Sequence, residues 1–324
     1  MRDYWQISAG NASSGRNYAD LFLKHGLAFM GGDDQERAAE VRKGDVMILK
    51  DGLNRVLAAG LVVERNGRIA GKDDKAWVRD VEGCDLPAYV FVDWHADRTP
   101  IETKGFTRAT IGKTTKAEHH AIADALLKAP LVPIEPEPED PTVLSNEQIV
   151  ADLQTHSTHV KPEAAIAALA EIQRVYREEF DIASEWTEEV TRDRLVRPLM
   201  ESFGWTRDNI RDSIKGQGLS HLLCCSPSEH FVKSLDTKVI ECRRFNHGVD
   251  LSPAQSLQIG KIFTGAKILA ISNGVAMKLY SRPEFGSFKT EAGAYVNLAR
   301  PAERCPSNPK LPGALTLLRF LLRK

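Results

Sequence analysis

Residues 238–245, KVIECRRF, place a carboxylate, a thiol and two guanidinium groups at the end of an apolar run. If the run is a strand, alternate side chains share a face, so Thr237, Val239, Glu241 and Arg243 point together. A carboxylate and a cation spaced this way suit a hydrolytic site that holds a metal ion and an attacking water. A guanidinium stays protonated and is a poor general base. The bland alternative is a partly buried Glu241–Arg243 ion pair at the edge of a sheet.

A second candidate is the stretch 98–116, RTPIETKGFTRATIGKTTK. It carries Arg98, Lys104, Arg108, Lys113 and Lys116 against Glu102 alone, with six threonines. Cations and hydroxyls are the groups that contact phosphate oxygens; a solvated loop is the plain alternative. The GKTT within it is no phosphate loop. Six residues separate Gly105 from Gly112, where that motif has four.

Five cysteines (Cys84, Cys224, Cys225, Cys242, Cys305) form no CxxC pair, so buried reduced thiols are expected rather than zinc. His156 and His159 read as a solvated pair. The formal charge of −1 over 324 residues gives no bulk attraction to nucleic acid, so binding needs a local patch. With 42% hydrophobic and 27% charged residues the chain reads as globular. No run reaches the roughly 20 apolar residues of a membrane span. The start, MRDYWQISAG, lacks the apolar core of a signal peptide, so a cytoplasmic location is expected.

To position these residues, the chain must fold in two parts. APLVPIEPEPEDPTVLSN holds five prolines and four acids and reads as a stiff, extended linker over 129–144. It separates a domain at 1–128 from one at 145–324. In the first, YWQISA, GLAFMG, DVMILK, RVLAAGLVVE, KAWVRD and YVFVDWHA read as strands. NYADLFLKHG reads as a helix stopped by Gly26, and the whole suggests a closed or nearly closed barrel. The second domain opens with helices, the first behind a Ser145–Gln148 capping box. Ile166, Leu169, Ile172 and Tyr176 recur at helical spacing. A helix over Thr187 to about Phe203 carries Pro198 and should kink there. LSHLLCC, FVKSLDTKVIECR and AKILAISNG supply strands, with a helix at PAQSLQIGKIF. The fold class is α+β: a barrel-like domain, a linker, a helical segment and an α/β sandwich.

Over about 184–280 the second domain resembles the N-terminal nuclease domain of type I restriction-enzyme motor subunits, a branch of the PD-(D/E)xK nucleases. EEVTRDRLVRPLMESFGW resembles its opening helix, KVIECRRF its strand ending Glu-x-Lys, and ISNGVAMKLY its closing strand and Asn-Gly turn. The resemblance implies magnesium held by Glu241 and by an Asp on the preceding strand. Here that strand is GLSHLLCC, with His221 at the Asp position. Imidazole is a poor magnesium ligand, and the Lys position is Arg243. Glu188 or Glu189 on the opening helix could replace the missing acid. Asp236 falls on the opposite face of a regular strand, unless a bulge intervenes. The resemblance therefore implies a degenerate site of Glu241, Arg243, His221 and Glu188. No cofactor is expected, and Mg2+ only if the site is active.

Over 3–95 the first domain resembles the PUA-like superfamily, especially the EVE-like modules of modification-dependent restriction systems. The matching stretches are YWQISAGNASSGRNYADLFLKHGLAFMG, VRKGDVMILKDGLNRVLAAGLVV and VFVDW. The resemblance implies nucleic-acid binding, often with a modified cytosine turned out of the stack into an aromatic pocket. Flipping costs a few kcal/mol, and aromatic stacking returns about 1–3 kcal/mol per base. Trp5, Tyr18 and Trp94 are the wall candidates, with Phe22 and Phe29 closer to ordinary core. Ser8, Asn11 and Arg16 would contact base edges or phosphate.

The expectation is a DNA-binding protein of a restriction or phage-defence system, whose nuclease-fold domain no longer cuts. Its rivals are a modification-dependent endonuclease, a scaffold docking a separate motor or nuclease subunit, and a reader of modified RNA.

Overall fold

The computed structural model describes residues 2–11, 16–81, 83, 85–97, 99–212, 220–224, 238–283 and 286–323. The chain forms two compact units, Met1–Pro138 and Glu139–Lys324, in a mixed α/β fold with curled, half-barrel sheet and helices. No helix among the described residues is long and apolar enough to cross a membrane.

The first unit runs β1 (Tyr4–Ser8), β2 (Gly10–Asn11), β3 (Arg16–Asn17), α1 (Ala19–His25), β4 (Leu27–Met30), β5 (Val46–Asp51) and β6 (Arg55–Val62). It continues with β7 (Ala70–Lys72), β8 (Ala88–His95), β9 (Ile101–Glu102), β10 (Ile111–Lys113) and α2 (Ala117–Leu126). Eight strands make one sheet, ordered β10-β1-β5-β6-β8-β4, with β7 on β8 and β9 on β6. A 3₁₀ segment, Gly32–Glu40, packs on β4, β8 and β10. Arg37 donates from it to the Ile111 carbonyl at 2.6 Å, so it spans between the sheet's two end strands. Helix α1 stops at Gly26, whose φ of 60° is the left-handed cap that glycine supplies. KAWVRD, expected as a strand, is a 3₁₀ turn over Ala76–Asp80. The side chain of Asp80 takes the Gly83 N–H at 2.8 Å, and the turn buries Trp77 and Val78 in succession, which alternation in a one-faced strand would not.

Nor is the acidic Pro-rich stretch a free linker at its ends. The Val132 N–H donates to the Trp94 carbonyl and the Glu135 N–H to that of Lys24, both at 2.8 Å. In the second unit, the Leu144 N–H donates to the Pro301 carbonyl at 2.8 Å. Each end is tied to its own unit by backbone hydrogen bonds that proline itself cannot donate.

The second unit begins with α3 (Asn146–His156), α4 (Pro162–Glu178), α5 (Phe180–Ala183), α6 (Glu188–Thr191) and α7 (Arg197–Ser202). Then come β11 (Ile210–Asp212), β12 (Ser220–Cys224), β13 (Lys238–Cys242), α8 (Pro253–Ile262), β14 (Ile268–Ser272), β15 (Ala276–Ser281) and β16 (Ala294–Asn297). The short pair β17 (Arg304–Cys305) and β18 (Asn308–Pro312) precedes α9 (Ala314–Leu321). Strands β11 to β16 form a six-stranded sheet in chain order. Only β13 and β14 pair in parallel within it, and α8 is the crossover that parallel pairing needs.

Alternation divides the sheet's two faces. Leu222, Ile240, Cys242 and Ala270 pack with the α3, α4, α7 and α9 side chains Leu153, Leu169, Leu199 and Leu317. Leu223, Val239, Leu269 and Ile271 pack on the other face with Ile259 of α8. Val239 and Ile240 are both fully buried, each contributing about 1.5–3 kcal/mol. Between α6 and α7 the chain forms a π turn, Arg192–Val196, immediately before Pro198, so the expected kink takes the form of a widened turn. The capping box of Ser145 and Gln148 is formed, and Ser252 with Gln255 makes another at α8. Cys224, Cys242 and Cys305 are buried; Cys84 and Cys225 lie outside the described residues.

Candidate functional site

The strand β13 ends on the group that its sequence advertised. Cross-strand register sets His221, Glu241, Ile271 and Lys278 in one row over β12, β13, β14 and β15. Glu241 is 3% exposed. Its Oε1 accepts from Arg243 Nε at 3.0 Å. The same guanidinium donates to the Gly248 carbonyl and, at 3.4 Å, to Gln255 Oε1. The neighbouring loop is tied down from the sheet. Asn273 Nδ2 donates to the His247 carbonyl at 2.6 Å, and the Tyr280 hydroxyl to that of Val249 at 2.7 Å. Lys278 Nζ meets Asp250 Oδ1 at 2.6 Å. Glu241 Oε2 is buried and has no hydrogen-bond partner among the described residues.

A Mg2+ ion needs several hard oxygen ligands, and the Glu241 carboxylate already faces the charge of Arg243. Among the described residues no group of three or more His, Cys, Asp or Glu could hold a metal ion. The side chain of His221, and Asp236 altogether, lie outside the described residues. The opening helix does not supply the missing acid: Glu188 is paired with Arg244 at 3.3 Å. Its continuation packs Leu195, Val196 and Leu199 on the Ile240–Cys242 face, opposite the face that carries Glu241. Glu189 is held at its own helix start, where backbone and Thr187 hydrogen bonds lower its pKa. The Asn-Gly turn docks on that helix. A Cβ on Gly274 (φ +86°) would lie 2.7 Å from Leu195 Cδ1 and 2.9 Å from Thr191 Cγ2, so glycine alone fits.

In the first unit the expected aromatic wall is core. Trp5 and Trp94 are each 1% exposed. The Trp5 indole N–H donates to Asp45 Oδ2 at 3.0 Å, and that of Trp94 to the Leu27 carbonyl at 3.3 Å. Both rings sit inside the curled sheet, and their polar atoms are satisfied there, so neither offers a face to a base. Tyr18 precedes α1 and is buried; Phe22 and Phe29 stack edge-on in the same core. Ser8 donates to the Gly10 carbonyl at 2.9 Å. Asn11 and Arg16 pair through their backbones; their side chains lie outside the described residues.

The 98–116 stretch is a built structure. Gln6 is buried on β1; its Oε1 takes the Thr107 N–H at 3.2 Å. Lys50, 2% exposed on β5, donates to the Thr107 carbonyl at 3.0 Å, and burial lowers its pKa. Buried His119 bridges Thr114 Oγ1 (2.9 Å) and the Lys104 carbonyl (3.1 Å) and stacks on Phe106. These anchors hold the exposed cations in place. Lys113 is committed to Asp3 at 2.7 Å and lies 5.0 Å from the Trp5 ring. Lys104, Arg108 and Lys116 are exposed and make no ion pair with a described residue; Arg98 lies outside them. Sequence reasoning missed Gln6, Lys50 and His119 as anchors. The signal was there: YWQIS and VMILK each place one polar side chain inside an apolar strand.

Compared with known proteins, the chain matches no family model and no curated sequence.

Proposed function

We propose that this chain is a DNA-binding protein of a restriction or defence system. Its first unit would be a PUA-like nucleic-acid reader and its second a restriction-endonuclease-like domain that no longer cuts. One observation carries the reading: the Arg243 guanidinium lies on Glu241 Oε1 at 3.0 Å, where a cutting enzyme of this pattern needs a metal and a second acid. For binding, the support is the anchored loop with three exposed cations, Lys104, Arg108 and Lys116, which pair with no carboxylate among the described residues. Since Trp5 and Trp94 are core, the reading rests on phosphate contacts rather than on a base turned onto those rings. Phosphate contacts carry affinity without sequence information.

The test is fluorescence anisotropy with modified and unmodified duplex DNA over a salt series. The expected result is binding that weakens with salt, and a slope reduced by about 1 for each of Arg108→Glu and Lys116→Glu. Magnesium-dependent cutting of either DNA, lost in Glu241→Ala, would overturn the non-cutting half. Unchanged slopes would remove the loop from the binding surface.

A further inference from the structure

The acidic segment after α2 lies over a set of hydrogen-bond donors. Lys24 Nζ meets Glu135 Oε2 at 2.8 Å. Lys75 pairs with Glu137, and the Trp77 indole N–H points to the same carboxylate at 3.5 Å. Lys75 is 13% exposed at its side chain and sits 5.1 Å from the Tyr89 ring centroid. Ile134 fits where α1 ends: a Cβ on Gly26 would lie 2.9 Å from Ile134 Cδ1. Beneath is His25, 2% exposed, its ring 4.9 Å from that of Trp77. The Glu135 backbone bears on the His25 imidazole, and Glu135 and Glu137 are the carboxylates whose charges act on it. Two ammonium groups, an indole N–H and an imidazole form a set rich in donors. The groups that it now meets are carboxylates of the chain's own Pro-Glu segment. Arg65 and Arg68 alongside are neutralised within the unit, by Asp93 and Asp74; Lys24 and Lys75 take their counter-charges from the segment.

We propose that Glu135 and Glu137 are an intramolecular strap seated in a phosphodiester site built by Lys24, Lys75, Trp77 and His25, and that a nucleic-acid strand must displace it. The carboxylates stand in for phosphate oxygens: the donors that accept one anion accept the other. Prolines at 133, 136 and 138 hold the strap extended, which lowers the entropy lost in seating it. The strap sets a threshold for binding, since a strand gains these contacts only by replacing those already made. This inference rests on the nucleic-acid reading above, but it concerns a surface distinct from the 98–116 loop.

The test uses the full chain and a labelled single-stranded oligonucleotide at low salt. Glu135→Gln/Glu137→Gln is expected to tighten binding by roughly three- to tenfold, the competition offered by one exposed and one partly buried ion pair. The gain should vanish when Lys75→Gln is added. Glu139→Gln/Asp140→Asn removes the same charge just beyond the strap and should leave affinity unchanged. An equal gain from that control, or a gain that survives Lys75→Gln, would reduce the effect to net charge and overturn the strap. Wild-type binding that the strap variant does not alter would also overturn it, while leaving the nucleic-acid reading intact. Absence of binding in every variant would overturn both. Inorganic phosphate serves as the second probe; if it competes at the site and the oligonucleotide does not, the ligand is free phosphate and not a strand.

Discussion

Each unit buries charge on a strand, and Lys50 in the first is handled differently from Glu241 in the second. Lys50 in the first is 2% exposed and donates to a backbone carbonyl, that of Thr107. Glu241 in the second is 3% exposed and has a guanidinium for a partner. A lone buried cation is tolerated by shifting toward its neutral form, as the lowered pKa of Lys50 shows. In a buried pair each member offsets the other, and each depends on the other. The first arrangement fastens a loop that presents cations. The second closes a strand end on itself.

The largest expected effect is on the pair. Arg243→Ala leaves the Glu241 carboxylate buried and uncompensated, and should cost about 3–5 kcal/mol in denaturant unfolding. Glu241→Leu/Arg243→Met, which removes both charges, should come close to wild-type stability. If the double variant falls as far as the single one, the pair is not a closed unit and the comparison breaks.

The lone cation predicts an alkaline signature. The folded pKa of Lys50 lies below its ordinary 10.5, so between the two values the unfolded chain binds the extra proton. Stability from this group therefore rises with pH through that window and levels off above 10.5. Lys50→Met should flatten the rise, and hydrogen exchange should quicken across 103–116 as the Thr107 carbonyl loses its donor. Chemical melts across roughly pH 8 to 11 are the measurement.

His25 gives the acid counterpart, on a smaller scale. Burial, with Lys24 assisting, lowers its folded pKa below 6.5. As pH falls below 6.5 the unfolded state protonates first, so stability declines until the folded pKa is reached, by at most about 1.4 kcal/mol per pH unit. His25→Gln should remove that part of the acid slope. An unchanged slope would mean that other groups set the acid limit.

What the sequence disclosed and what it hid follow the same division. Local chemistry was legible: Gly26 ends α1, Ser145 with Gln148 starts α3, and alternation in KVIECRRF put Glu241 and Arg243 together. Those features depend on residues a few positions apart. Trp5 and Trp94 were misjudged as pocket walls because a curled sheet covered on both sides buries aromatics that alternation alone leaves ambiguous. KAWVRD has strand composition, yet its turn depends on Asp80 reaching Gly83. The Pro-rich stretch looked free because proline excludes helix and central strand, but its Val132 and Glu135 N–H groups still find carbonyls on the first unit. No local pattern announces those partners.

The smallest effect joins the legible features to the hidden ones. Both capping serines of the second unit satisfy an N–H at a helix start, and each Ser→Ala change should cost about 1 kcal/mol. At α3 the effect ends there. At α8 the cap's Gln255 also accepts from Arg243 Nη2 at 3.4 Å, so the box and the ion pair share an atom. The contact is long, and its energy is small beside the 3.0 Å bond to Glu241. A double-mutant cycle between Gln255→Ala and Arg243→Lys should show a coupling of about 0.5 kcal/mol, the lower end for residues in one network. The matching cycle between Gln148→Ala and Arg243→Lys should show none, because the α3 box shares no partner with the pair. Equal coupling in both cycles would mean that the second unit transmits cap losses globally. Coupling confined to Gln255 would mark α8 as part of the device that keeps Arg243 on Glu241.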